Sequence, residues 1–325
     1  MNGALYPLLF HPRFKERVWG GRALESLYRK ALPPDVPIGE SWEVSDRPDD
    51  ESVIANGALA GRTLRWLMEA HGGDLLGRAS PSADNRFPLL CKILDARDRL
   101  SLQVHPPARA ASLGAPKTEM WYIARADRGA ELHVGLKRGV TREEFESKVR
   151  TGRVAECFHR VPVHAGDAMF LPSGRVHAIG AGLVIFEIQQ NSDTTFRVYD
   201  WDRVGLDGKP RALHVSESLE SIDFADFEPS LVGSEAERAG PFTVRPLVRD
   251  ALFDVDLVRS ATRELMTFSE ATVRILAVVE GQVVVSAGGV AQTLDAGQFC
   301  LVAASNIDAV VAAEARSAFL VVEAK

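Results

Sequence analysis

Along most of this chain the apolar positions fall in short runs, alternating or unbroken, bounded by Gly, Pro, Asn and Asp. Pro88–Ala96, Leu100–Val104, Glu119–Ala124, Ala130–Val134, Ala168–Leu171, Leu183–Gln190 and Phe196–Asp200 are such runs. Phe253–Val258, Val273–Val279, Gln282–Ala287 and Phe299–Ala303 continue the pattern in the last third. Strands this numerous and evenly spaced predict an antiparallel sandwich or barrel. Helical spacing is confined to three stretches. These are Arg22–Lys30, Thr63–Leu76 with Leu64, Leu67 and Met68 at i, i+3 and i+4, and Thr141–Arg150. In the last, Thr141 followed by Glu144 is a capping-box signature and Gly152 supplies the stop. An acidic, mostly polar stretch, Ser216–Glu237, separates the strands up to Asp200 from those of the last third. With the boundary placed near residues 225–240, two units are expected: residues 1–230, holding the helices, and residues 231–325, small and all β. Alternation at Phe253, Val255 and Leu257 predicts an apolar interior for the second unit.

At 325 residues the chain has room for two or three domains of roughly 100–200 residues each. No apolar run approaches the roughly 18 residues of a spanning helix, so no membrane partner is expected. The apolar stretch near the N-terminus is short, broken by Pro7 and followed by His11 and Arg13, unlike a secretory signal. The three cysteines, Cys91, Cys157 and Cys300, are odd in number and far apart, which argues against a disulfide framework. Together these features predict a cytoplasmic protein. A net charge of −6 without a basic run argues against a nucleic-acid partner and leaves a small molecule as the expected one.

Three segments carry candidate chemistry. In Leu102-Gln103-Val104-His105-Pro106-Pro107, residues i and i+2 share a face, so Gln103 and His105 point together and the prolines place His105 at the strand's end. Lys117 and Glu119 alternate in the same way at the head of an apolar strand, where a carboxylate needs a partner or a metal. The plainer alternatives are solvent-facing pairs on amphipathic or edge strands. The third segment, Gly166-Asp167 through Pro172-Ser173-Gly174-Arg175-Val176-His177, has the form G-x5-P-x-G-x2-H and is similar to the second motif of the cupin superfamily. Ala181 stands where that motif usually has Asn. Two imidazoles, a Glu and a Gln amide oxygen suit a divalent first-row metal. His11, His71, His133, His159, His164 and His214 lack comparable contexts and are expected to be surface or packing residues.

The segment Gln189-Gln190-Asn191-Ser192-Asp193-Thr194-Thr195-Phe196-Arg197-Val198-Tyr199-Asp200-Trp201 closely resembles bacterial class I mannose-6-phosphate isomerases of the low-molecular-weight type. The resemblance extends over most of the first 215 residues, through Trp19-Gly20-Gly21, Ile38–Glu43, Phe87–Lys92, Leu100–Pro106, Lys117–Tyr122 and Gly166–His177. It implies metal ligands at Gln103, His105, Glu119 and His177, a catalytic arginine at Arg197 with Asp193 as its acidic partner, and substrate-pocket positions at Lys92, Ser101 and Lys117. Ile179 departs from the aromatic residue of larger relatives. The implied fold is mainly β, with two cupin-like barrel or jelly-roll domains. The implied cofactor is one divalent ion, zinc by family expectation, although the ligands would also accept Co or Mn.

The implied reaction interconverts mannose 6-phosphate and fructose 6-phosphate through an enediol. A metal-bound water, Asp193 or a lysine of lowered pKa would serve as base. No P-loop is present, so Lys117, Lys92, Arg197 and Ser101 are the candidates for the phosphate. No His occurs after His214, so the second unit reads as a degenerate cupin-like domain without metal ligands, either structural or shaping the pocket mouth. A non-catalytic bicupin that senses a sugar phosphate is the alternative. It would be expected to lose Arg197, Asp193 or one ligand, and all are present. An iron-dependent cupin oxygenase fits the Gln103/Glu119 pair less well.

Overall fold

The computed structural model describes residues 5–268 and 270–325. All three expected helices form. Leu64–Leu76 starts at Thr63, whose hydroxyl accepts from Trp66 N at 3.0 Å, and Ala23–Tyr28 occupies the first stretch. Arg142–Arg150 starts at Thr141, whose hydroxyl accepts from Glu144 N. The Glu144 carboxylate turns to Lys148 one turn on, 2.8 Å away. The stretch Ser216–Glu237 corrects the expectation of a plain separator. The helix Val215–Ser221 overlaps its start, too short and polar to show a period. Ile222 then joins Phe145 and Phe158 in an apolar cluster, and Arg175 donates two 2.8 Å hydrogen bonds to Asp226.

The strands all pair antiparallel. One six-stranded sheet runs in the order Ala168–Leu171, Glu119–Ala126, Leu183–Gln190, Leu89–Ala96, Arg13–Gly21, Ile38–Val44. A five-stranded sheet has the order Phe196–Tyr199, Leu102–Val104, His177–Ile179, Glu131–Leu136, Phe158–Pro162. The C-terminal region adds a six-stranded and a four-stranded sheet over residues 237–324. No sheet closes on itself among the described residues, so the expected barrels are open sandwiches.

Alternation sorts the N-terminal six-stranded sheet into two buried faces. Leu94, Trp121, Ile123 and Ile185 meet Leu132, Val134 and Ile179 of the five-stranded sheet. Ile93, Met120, Tyr122, Phe186 and Ile188 face the other way and share one apolar cluster with Ile275, Phe299 and Leu320. The Phe186 and Phe299 rings stack at 5.6 Å between centroids. Strands covered on both faces are why these runs look continuously apolar in sequence. Phe253, Val255 and Leu257 belong to this shared cluster, not to the interior of the C-terminal sandwich. That interior is built from Phe242, Val258, Leu276, Val283 and Val285. Alternation shows which residues share a face, but not what the face meets.

Candidate active site

Strand register assembles the site. In the five-stranded sheet Gln103 pairs with Arg197 on one side and His177 on the other, so the three side chains form a row. In the facing sheet Glu187 pairs with both Lys92 and Trp121, and Lys92 with Trp42, giving a second row. Glu119 begins its strand opposite Gln189, and His105 comes just after the strand Leu102–Val104. The turn before His177 is tied to His105, because Gly174 N donates to His105 O at 2.9 Å. Gly174 holds φ at +95°, which a side chain would strain.

His105, Glu119 and His177 are fully buried, and their donor atoms lie within 4.8 Å of one another. His105 Nδ1 is 2.8 Å from Thr194 O, and His177 Nδ1 is 2.9 Å from Arg175 O. A carbonyl only accepts, so each Nδ1 carries the proton and each Nε2 presents its lone pair to the cluster. The Gln103 amide nitrogen lies 3.2 Å from His177 Nε2 and its oxygen accepts from Ser101, and a flip of the amide turns the oxygen to the cluster. Both Glu119 oxygens are buried and accept no hydrogen bond, although Lys117 Nζ stands 2.6 Å away. Burial alone would raise the Glu119 carboxyl. Lys117 and the two imidazoles outweigh it and hold the group well below the usual range. Burial, reinforced by Lys117, pushes His105 down to about 4, and burial lowers His177. An ionised carboxylate, two neutral imidazoles with lone pairs inward and an amide oxygen fit a divalent cation.

A cavity of about 410 Å³ opens beside this cluster and is lined by Lys92, Ser101, Gln103, Lys117, Asp193 and Arg197, among others. The structure therefore gathers the site residues expected from the sequence around one cavity, but it does not pair Asp193 with Arg197, since no ion pair joins them among the described residues. It also adds residues that sequence reasoning missed: Arg17, Trp19, Glu40, Glu187 and Arg211. Glu187 carried a readable signal, a lone charge inside an apolar strand, as Glu119 did. Arg17, inside the strand Arg13–Gly21, and Arg211, in a loop, carried none, since isolated arginines are usually solvated.

The lysines are less available than expected. Lys117 lies 2.6 Å from Glu119, and Lys92 lies 3.3 Å from Glu187. Lys117 is raised despite its burial, because Glu119 and Glu187 face it, so it is not a base of lowered pKa. Nor does the C-terminal region shape the mouth. Among the described residues no lining residue lies beyond Arg211, and Gly205, Leu206 and Arg211 supply the last part of the wall.

Glu40 anchors the inner wall. Burial would raise it, but Lys92, Arg17 and the Trp42 indole pull it to about 2 from 4.5. A depressed carboxyl stabilises the fold fully above its unfolded value, and that contribution fades as pH falls through the folded one. Glu40→Gln is expected to cost on the order of 3 kcal/mol in urea unfolding at pH 7. The gap from wild type should narrow as pH falls from 4.5 toward 2. A gap independent of pH would rule out an ionised Glu40 as its source.

Two His, a Glu and a Gln held between facing antiparallel sheets define a cupin-type metal-binding sandwich. The family model for the type I phosphomannose isomerase catalytic domain matches residues 8–141. The mannose-6-phosphate isomerase ManA of Bacillus subtilis is 43% identical over 221 residues, covering 67% of this chain and 68% of ManA. A Streptococcus mutans mannose-6-phosphate isomerase is 41% identical over 66% of this chain and 67% of its own. Among solved structures, a Bacillus subtilis mannose 6-phosphate isomerase superimposes with a TM-score of 0.89 at 29% identity, covering 98% of this chain and 99% of that one. The chain belongs to the type I mannose-6-phosphate isomerase family.

Proposed function

We propose that this chain interconverts mannose 6-phosphate and fructose 6-phosphate by moving a proton between C1 and C2 through an enediol. The observation that carries the reading is the row Arg197–Gln103–His177, set beside Glu119 and His105 on the wall of one cavity. Gln103, His105, Glu119 and His177 would hold a divalent ion, zinc in our reading, which supplies Lewis acidity toward the sugar oxygens. Arg197 stabilises the oxyanion that develops. Asp193, at the rim and without an ion pair among the described residues, accepts the proton from carbon. Lys117, kept protonated, donates a hydrogen bond within the site and leaves the base role to others. The phosphate is met by Arg17 and Arg211, whose guanidiniums are fixed by Glu40 and Asp200, with Ser101 and Thr195 beside them, while Lys92 and Lys117 stay buried against Glu187 and Glu119.

We assign the metal site to residues 1–230, and read residues 231–325 as a ligand-free cupin-like unit that covers the sheet carrying half of the site. No helix among the described residues is long and apolar enough to cross a membrane, and the buried free cysteines suit our proposal of a cytoplasmic enzyme acting on a small sugar phosphate. The test is a coupled assay on mannose 6-phosphate before and after chelation, with Zn, Co and Mn added back. Turnover should vanish on chelation and return with metal. Full activity in the chelated protein would sink the reading.

A further inference from the structure

A second cavity, of about 510 Å³, lies on the other side of the five-stranded sheet. His133 pairs with Ala178, whose side chain joins the outer apolar cluster, while the adjacent His177 turns the other way, toward Gln103 and Glu119. His133 lines the cavity and is only 8% exposed, yet its Nδ1 is buried with no hydrogen-bond partner. An imidazole nitrogen left unpaired in this way costs roughly 1–3 kcal/mol unless a ligand satisfies it.

The charges around His133 do not cancel. Glu131 accepts from Arg160 Nε at 2.8 Å, and Glu156 accepts from Arg153 Nε at 2.7 Å, so both lining carboxylates are engaged. Arg99 and Lys137 also line the cavity and have no carboxylate partner among the described residues. Arg99 lies over the Trp201 ring at 3.9 Å, which fixes its guanidinium without neutralising it. Gly129, Ala130, Gly180 and Ala181 supply no bulk to fill the space. Two uncompensated cations and one buried nitrogen match a dianion with several acceptor oxygens.

We propose that this cavity is a second anion site, separate from the active-site cavity, that binds a phosphate dianion, free or esterified to a small organic group. It is placed to be felt at the active site. The Trp201 indole donates to Leu100 O at 2.7 Å, and Arg203 reaches from Arg99 O to Asp200, which holds Arg211. Leu100 and Arg211 line the active-site cavity. Trp201 and Asp202 both sit at positive φ, so this link is a strained turn.

Tryptophan indole N–H resonances test the proposal, because Trp201 lines this cavity whereas Trp19 and Trp121 line the active site. The full chain would be titrated with inorganic phosphate and, separately, with glycerol phosphate. Trp201 should shift saturably with at least one of them, and the tighter probe identifies the source. Lys137→Gln should weaken that response about tenfold or more, while Trp19 and Trp121 still respond to phosphate in the active-site cavity. Ala181→Leu, which fills the space and keeps every charge, should weaken it too. The proposal is overturned if Trp201 shows no saturable shift, if chloride at matched ionic strength gives the same shift, or if both variants respond as wild type.

Discussion

Replacing His177 by alanine is expected to remove the bound metal and to lower kcat on mannose 6-phosphate by about 10³-fold or more. Losing a Lewis acid forfeits several kcal/mol of transition-state stabilisation, and each 1.36 kcal/mol is tenfold in rate. Position explains the size of the effect. His177 stands between Gln103 and the strand Glu131–Leu136, its Nδ1 held by Arg175 O and its ring edge-on to Trp121 at 5.4 Å. His105 cannot take its place, because its own Nδ1 is fixed to Thr194 O. Metal should stabilise wild type against heat by about 4 kcal/mol at a thousandfold excess over its Kd, and the variant by almost nothing. His164→Gln, at an exposed histidine outside the cavity, should retain both metal and turnover. A His177→Ala protein with wild-type metal content would show that the ion sits elsewhere.

The grouping of these side chains was legible because short-range rules bring them together. Same-face alternation joined Gln103 to His105 and Lys117 to Glu119, and the Pro172-Ser173-Gly174 turn returned His177 to the same interior. The features that were not legible depend on partners distant in the chain. Phe253, Val255 and Leu257 alternate as expected, yet they face the N-terminal sheet, because nothing local says which of two cores a buried face will meet. The helix Val215–Ser221 is stabilised by packing on strands far away in sequence and carries no side-chain cap. Arg17 and Arg211 became site residues only once Glu40 and Asp200 fixed them at the rim of a cavity formed by strands and loops far apart in the chain.

Arg197→Ala is expected to lower kcat by about 10²-fold or more, as removal of a positioned charge stabiliser does. The plainer alternative for Arg197 is a surface arginine paired with Asp193 or Asp200. The structure argues against it: Asp200 is held by Arg203 and Arg211, and Arg197 has no carboxylate partner among the described residues. Instead its Nη1 donates to Ala212 O at 2.7 Å, and its buried Nε has no partner. Burial and the nearby Arg211 push its pKa down and Asp200 opposes them, with Arg203 and Arg17 adding to the lowering, so the guanidinium stands half-buried among like charges without a carboxylate of its own. Such a guanidinium gains most when negative charge appears, as it does on the enediolate oxygens and not on the neutral sugar carbonyl. The loss should therefore fall on kcat, with metal content and thermal stability close to wild type. Arg197→Lys should rescue only in part, because an ammonium cannot reproduce the planar fork. If Arg197→Ala binds metal and turns over at a near wild-type rate, the charge must be met elsewhere. Lys117, already protonated beside Glu119, would be the group left to meet it.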